Sequence, residues 1–331
     1  MREEVSVTPD SAGPSSAWTQ TFSGVIVAAL TPMRPDGSID LGGIAPYVEY
    51  LIARGADALM VLGTTGEYIT LTYEERCAVA GEFLAAVDGR VPVIVHIGHL
   101  DRRVARRLGE TSVAAGAQAL AAIVPYYHHV SAQAIELHLG ELAREFAPSS
   151  FFVYNYPGAA GNRIEYEGFA RLLSIPNVAG IKLSVGTWSE VAPFLACPPE
   201  VLVTCGNDTL MDQFVSAGGR AVVSGNAAAF PDALALSWAA LHGSDAEAHR
   251  LATELVDDIS RLSLQGSSDR LKALVAARGV SVGGSRVRTF VPADVGNDTG
   301  TLAGVEAKAA RLAELLEGGV ARGAGGVPRP G

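Results

Sequence analysis

Eight short apolar runs, each followed by an amphipathic stretch, constrain this chain more than any other feature. They are Gly24–Leu30, Ala58–Leu62, Val91–Ile97, Ala119–Val124, Phe151–Tyr154, Val178–Leu183, Val201–Cys205 and Ala221–Ser224. Each is rich in Val, Ile or Leu and nearly continuous rather than alternating, as parallel strands covered on both faces read. Eight strand and helix stretches in strict alternation imply a parallel sheet. Eight such units within about 220 residues fit a closed barrel. An open doubly wound sheet would carry a glycine-rich phosphate loop after its first strand. Here the first run passes into Thr31-Pro32 with no such loop. The predicted fold class is α/β, a (β/α)8 TIM barrel with a C-terminal helical extension.

The stretches between the runs carry helix signals. Thr72 with Glu75, and Thr187 with Glu190, have the spacing of capping boxes. Asp101 and Ser131 stand where N-caps belong, and Gly55 where a helix stops. Arg102, Arg103, Arg106 and Arg107 read as a solvated helix face rather than an anion site. After Pro231 only helices follow, over roughly 232–262, 267–278 and 301–317, the last two read as lying outside the barrel. The expected organisation is a flexible N-terminal arm over 1–21, a catalytic barrel over 22–262, a helical extension over 263–317 and a disordered tail over 318–331.

Composition narrows the function. A net charge of −10 argues against nucleic acid and anionic membrane surfaces as partners. Three dispersed cysteines, Cys77, Cys197 and Cys205, read as reduced thiols in a cytoplasmic protein. No histidine spacing suits a zinc site, no apolar run is long enough to span a membrane, and the N-terminus lacks a signal-peptide pattern.

In a barrel, catalytic groups come from the C-terminal ends of the strands and the loops after them. Those places hold Gly63-Thr64-Thr65-Gly66-Glu67, Pro125-Tyr126-Tyr127, Tyr154-Asn155-Tyr156-Pro157 and Gly180-Ile181-Lys182. Lys182 is the sharpest anomaly, a lysine within the apolar run Val178–Leu183. Burying a lone ammonium is costly, so such a lysine is either neutral or paired. Desolvation lowers its pKa, and a neutral amine attacks ketones. The other reading is an ion pair, for which Glu67 and Asp208 are the nearest carboxylates in kind. Both remain open on the residues alone. Tyr154 could relay protons to a carbinolamine, and the Gly63–Gly66 turn could hold a carboxylate on successive N–H groups.

These motifs keep their order and spacing across residues 22–317, and the chain resembles the dihydrodipicolinate synthase / N-acetylneuraminate lyase family of class I pyruvate aldolases and lyases. The resemblance implies that Lys182 forms the imine with pyruvate and that Tyr154 is the acid/base. It implies that Thr65 and Tyr127 complete a proton relay, with Tyr127 supplied by a neighbouring subunit. It implies that the N–H groups of Thr64 and Thr65 hold the pyruvate carboxylate, and that Gly206 and Val223 line the pocket. No metal or organic cofactor is expected. A homotetramer is expected, with pyruvate and an aldehyde as its small-molecule partners.

The acceptor is read from departures. Dihydrodipicolinate synthases place an arginine two residues after the proline of the Y-N-x-P motif; this chain has Ala159 there, with Arg163 four residues further on. Loss of such a partner weakens carboxylate binding by about 1.5–3 kcal/mol. His128 replaces the Asn that commonly follows Tyr-Tyr, with His129 next, and the two read as exposed loop histidines or as substrate contacts. Tyr154-Asn155-Tyr156-Pro157-Gly158-Ala159-Ala160-Gly161 is most similar to 2-keto-3-deoxygluconate-type aldolases; Asn207, Asp208 and Asn226 suit a polyol, and His96-Ile97-Gly98 resembles the sialic-acid lyase branch. The expected activity is therefore cleavage or formation of a 2-keto-3-deoxy sugar acid or another 4-hydroxy-2-oxo acid. The alternatives are a dihydrodipicolinate (4-hydroxy-tetrahydrodipicolinate) synthase, a dehydratase of a keto-deoxy sugar acid and a non-catalytic 2-oxo-acid-binding regulator.

Overall fold

A computed structural model describes residues 17–263, 267–287 and 299–322. Eight parallel strands close into a barrel in sequence order: β1 (Gly24–Ala28), β2 (Ala58–Val61), β3 (Val93–His96), β4 (Ala119–Ile123), β5 (Ser150–Asn155), β6 (Val178–Leu183), β7 (Leu202–Cys205) and β8 (Ala221–Ser224). Closure is made by β1 on β8, with Ile26 opposite Val223. Every residue of the eight strands is buried. That is why their sequences lack alternation: one face meets the barrel interior and the other the helices. The strand limits match the apolar runs to within two residues.

Local signals act as read, with one refinement. The Thr72 hydroxyl accepts from the Glu75 N–H at 3.2 Å while Glu75 Oε2 accepts from the Thr72 N–H at 2.9 Å, closing a full capping box. At Thr187 both the N–H (3.1 Å) and the hydroxyl (2.8 Å) donate to Glu190. Asp101 and Ser131 accept from Arg103 N and Ala134 N. Gly55, at φ +93°, follows the helix Ile44–Ala53 in the left-handed region that glycine enters without strain. The arginine cluster is a surface face: Arg102 and Arg106 pair with Glu141 and Glu145, Arg103 with Asp101, and Arg107 lies 4.2 Å over the Tyr73 ring.

Three expected boundaries shift. Residues 17–21 of the supposed flexible arm form a helical turn, because Trp18 has an apolar seat: its ring stacks 6.0 Å from Phe152. The rest of that arm, 1–16, lies outside the described residues. The last helix, Thr299–Arg322, continues past Gly318, and 323–331 of the supposed tail lie outside the described residues. That helix packs on Pro231–Leu241 and Ala246–Leu262, burying Val305 and Leu312.

The third shift bears on function. The helix Ser268–Ala277 and the segment after it were expected outside the barrel. They fold back over its catalytic end instead. Met33 N–H donates to Val282 O at 3.0 Å, and the Ser268 hydroxyl donates to Thr65 O at 3.0 Å. The extension has a polar, charged seam to satisfy there, and that seam holds it down.

Candidate active site

Lys182 projects from β6 between β5 and β7, in register with Tyr154 and Thr204. It is 6% exposed, and among the described residues no carboxylate lies within salt-bridge distance of it. Its Nζ stands 4.5 Å from the centre of the Tyr154 ring. Burial brings its pKa down to about 8, with Asp208 pulling the other way. At pH 7 about one amine in ten is then neutral, against fewer than about one in a thousand for a free lysine. Geometry bears on the second of the readings left open above, since among the described residues no carboxylate pairs closely with Lys182. Glu67 is not its partner: at φ +57° the backbone turns that side chain away from the barrel, to Lys272 at 2.8 Å. Asp208 is a buried neighbour whose own pKa burial pushes up, and not a salt-bridge partner.

Tyr154 is 1% exposed. Burial raises its pKa, so the phenol keeps its proton until one is needed. A threonine hydroxyl is hydrogen-bonded to it at 3.1 Å, but it belongs to Thr64 where the expected relay has Thr65, and the Ser184 hydroxyl is a further partner. Successive residues of a tight turn point apart, and Thr65 is instead held through its carbonyl by Ser268. Both threonines nevertheless line one cavity of about 1260 Å³, together with Tyr154, Lys182, Gly206 and Val223. Gly206 is required by close approach: a Cβ there would come within 2.5 Å of the Ser184 hydroxyl.

The structure does not bring Tyr127 into this cavity. It is 81% exposed, at φ +71°, with its ring 4.9 Å from that of His128. His128 and His129 are exposed loop residues that do not line the cavity. His96 is buried between strands, its Nδ1 at 2.9 Å from Leu62 O and its Nε2 accepting from Ile123 N at 3.2 Å. Burial holds it neutral, so it is a backbone bridge and not an acceptor contact. Asn207 and Asn226 are likewise engaged. Asn207 caps a turn through Thr209, and Asn226 donates to Asp208 at 2.7 Å.

Residues that sequence reasoning did not place here include Asp257, Arg261 and Ser268, from the helices after β8. Nothing in an amphipathic helix tells which polar residue meets a cavity. Arg163, noted only as late in its motif, also lines the wall, half-exposed and 3.2 Å from Glu190. Among the described residues no cluster of three or more His, Cys, Asp or Glu could hold a metal, and no helix is long and apolar enough to cross a membrane.

A closed parallel barrel with a desolvated lysine, a buried phenol beside it and an N–H-bearing turn across the cavity is the architecture of an imine-forming aldolase or lyase. Comparison with known proteins makes the assignment firm. The model of the dihydrodipicolinate synthetase family matches residues 21–298, and the chain belongs to that family. Its members are Schiff-base, pyruvate-dependent carbon–carbon lyases, and this chain is one of them. It is 32% identical over 267 residues to the 4-hydroxy-tetrahydrodipicolinate synthase of Synechococcus sp. (strain CC9605), covering 80% of this chain and 88% of the relative. It is 33% identical over 261 residues to that of Alkalilimnicola ehrlichii, covering 78% and 89%. Its fold superposes on the dihydrodipicolinate synthase of Cyanidioschyzon merolae, solved with lysine bound, with a TM-score of 0.79 at 26% identity, covering 87% and 98%. These relatives favour the synthase alternative over the sugar-acid aldolase.

Proposed function

We propose that the chain joins pyruvate to an aldehyde that carries a carboxylate, the reaction of a 4-hydroxy-tetrahydrodipicolinate synthase. The observation that carries this reading is a cavity with Lys182 at its floor and Arg163 on its wall. Neutral Lys182 Nζ attacks C2 of pyruvate, the carbonyl oxygen takes a proton from Tyr154, and water leaves. The iminium that results withdraws electrons, so a C3 proton passes to the Tyr154 phenolate, restoring the phenol, and an enamine forms. The enamine carbon attacks the aldehyde, and its oxygen takes a proton from the phenol. The N–H groups of Thr64 and Thr65 hold the pyruvate carboxylate. Arg163 supplies the acceptor carboxylate's partner in place of the arginine that Ala159 lacks. It would leave Glu190 to do so, a small cost for a half-exposed pair.

Tyr127 completes the relay in a neighbouring copy of the chain, which its full exposure, away from the cavity of its own chain, favours. The protein is then a homo-oligomer. A second reading, cleavage of a 2-keto-3-deoxy sugar acid, is favoured by Ala159 and by the hydroxyls of Ser184, Thr209, Ser260 and Ser268 on the cavity wall. The deciding experiment supplies pyruvate with aspartate semialdehyde in one arm and 2-keto-3-deoxygluconate alone in the other. Condensation in the first supports the synthase. Pyruvate release in the second, with no condensation in the first, replaces it with the sugar-acid aldolase. Loss of water without cleavage marks a dehydratase.

A further inference from the structure

Imine catalysis makes opposite demands on one nitrogen. Lys182 must be neutral to attack, yet the nitrogen must be cationic once the imine has formed. Desolvation serves the first demand and opposes the second. The second calls for a fixed negative charge nearby, one that is not itself used up in hydrogen bonds.

Asp208 meets that description. It follows β7, the strand in register with Lys182, and lines the same cavity. It is 7% exposed, the one fully buried carboxylate among the described cavity residues. Its Oδ2 accepts from Ser224 and Asn226, both at 2.7 Å, while its buried Oδ1 has no hydrogen-bond partner among the described residues. A carboxylate is thus anchored by one oxygen and left with the other free. Ser224 is in turn fixed by the Ala227 N–H at 2.9 Å, and Asn226 by Ser260 and Ser263. The scaffold holds the carboxylate in place without satisfying it.

We propose that Asp208 is a positioning residue for the reaction, the counter-ion of the protonated imine on Lys182. The proposal rests on the imine reading above. When Lys182 Nζ bonds to C2 and the carbinolamine oxygen leaves as water, the nitrogen keeps one hydrogen and a positive charge. That charge vanishes when C3 loses its proton and returns when the new carbon–carbon bond forms. Asp208 neither gains nor loses a proton in these steps. It stabilises the cation each time it appears. The same charge raises the lysine against burial. The other ionisable groups around the cavity do not take this part. Tyr154 and Tyr156 are phenols whose pKa burial raises, and they stay protonated. Arg163 faces Glu190 on one wall, and Asp257 and Arg261 bring opposite charges from the helix Ala246–Leu262.

The test uses the full chain, pyruvate as the probe, borohydride trapping and intact mass, from about pH 6 to about pH 9. Wild type and Asp208→Asn are compared, with Lys182→Ala as the blank. Removing the carboxylate lowers the ammonium pKa, so the pH of half-maximal adduct falls by about one unit. It also destabilises the iminium, so the pyruvate concentration for half-saturation on the high-pH plateau rises by about tenfold or more. A packing defect would weaken binding without moving the pH midpoint. Unchanged values, or weaker binding with an unmoved midpoint, overturn the proposal. Absence of an adduct on wild type overturns the imine reading itself, a separate result.

If Asp208→Asn does not fold, Lys182→Met gives the reciprocal measurement. Without the cation the buried carboxylate's pKa rises further above its unfolded value. The variant's stability then declines relative to wild type as pH rises above the usual carboxylate range, through the raised pKa of Asp208. Parallel stability curves would overturn the proposal.

Discussion

The molecule buries two lysines, and they have opposite fates. Lys182 lies on the barrel floor, and Lys272 in the seam between the helix Ser268–Ala277 and the loop after β2. Each is under a tenth exposed, and burial lowers the pKa of both. Lys272 meets Glu67 at 2.8 Å and donates to Gly284 O at 2.6 Å, so its charge is held. Lys182 meets an aromatic ring and a carboxylate beyond contact, and is the proposed nucleophile. Burial alone does not make a lysine reactive; the absence of a close anion does.

The hardest blow to this contrast is Lys182→Ala. It should abolish the borohydride-trapped adduct and turnover while the protein still unfolds cooperatively in urea. A trapped adduct on the variant would move the chemistry to another amine. Tyr154→Phe should lower kcat by about 10²–10⁴-fold. It keeps the ring under Lys182, so a steady-state assay isolates the lost proton. Lys272→Met should leave adduct chemistry at Lys182 in place but strand Glu67 as a buried anion. A loss of about 3–5 kcal/mol in urea unfolding is expected. Unchanged stability would mean that the seam is not held by this pair. Arg163→Ala should raise the acceptor KM by about 10–100-fold with pyruvate binding unaffected. An unaltered KM removes Arg163 from acceptor binding. The mildest effect is that of pH. Lys182 at about 8 implies adduct formation that rises about tenfold per unit below that value and levels above it. A flat profile between about pH 6 and about pH 8 would show a lysine already neutral.

Much of this could be read from the chain. Continuous apolar runs mark strands buried on both faces, and β6 and β8 match theirs to the residue. Lys182 stood out because one charge in such a run has few explanations. What stayed hidden depends on direction rather than on position. Thr64 and Thr65 are neighbours of one kind in one turn, and only the backbone path decides which hydroxyl reaches Tyr154. Glu67 was a plausible partner for Lys182 until its left-handed φ sent it the other way. Asp208 showed as a candidate carboxylate, but its free oxygen is a matter of which donors surround it. The extension's return to the catalytic end was hidden for the same reason: amphipathic helices announce an apolar face, not its destination.

That return has a consequence for how the enzyme comes into being. Lys182, Tyr154 and the barrel closure are all encoded before residue 225. The turn that should grip the substrate carboxylate is braced by Ser268, Lys272 and the backbone of Arg286 and Val287, whose N–H groups donate to Glu67 at 2.8 Å. A ribosome must therefore add some sixty residues after the last strand before that turn is set. The lysine exists early in synthesis, and the turn is set only once residues 268–287 have followed it.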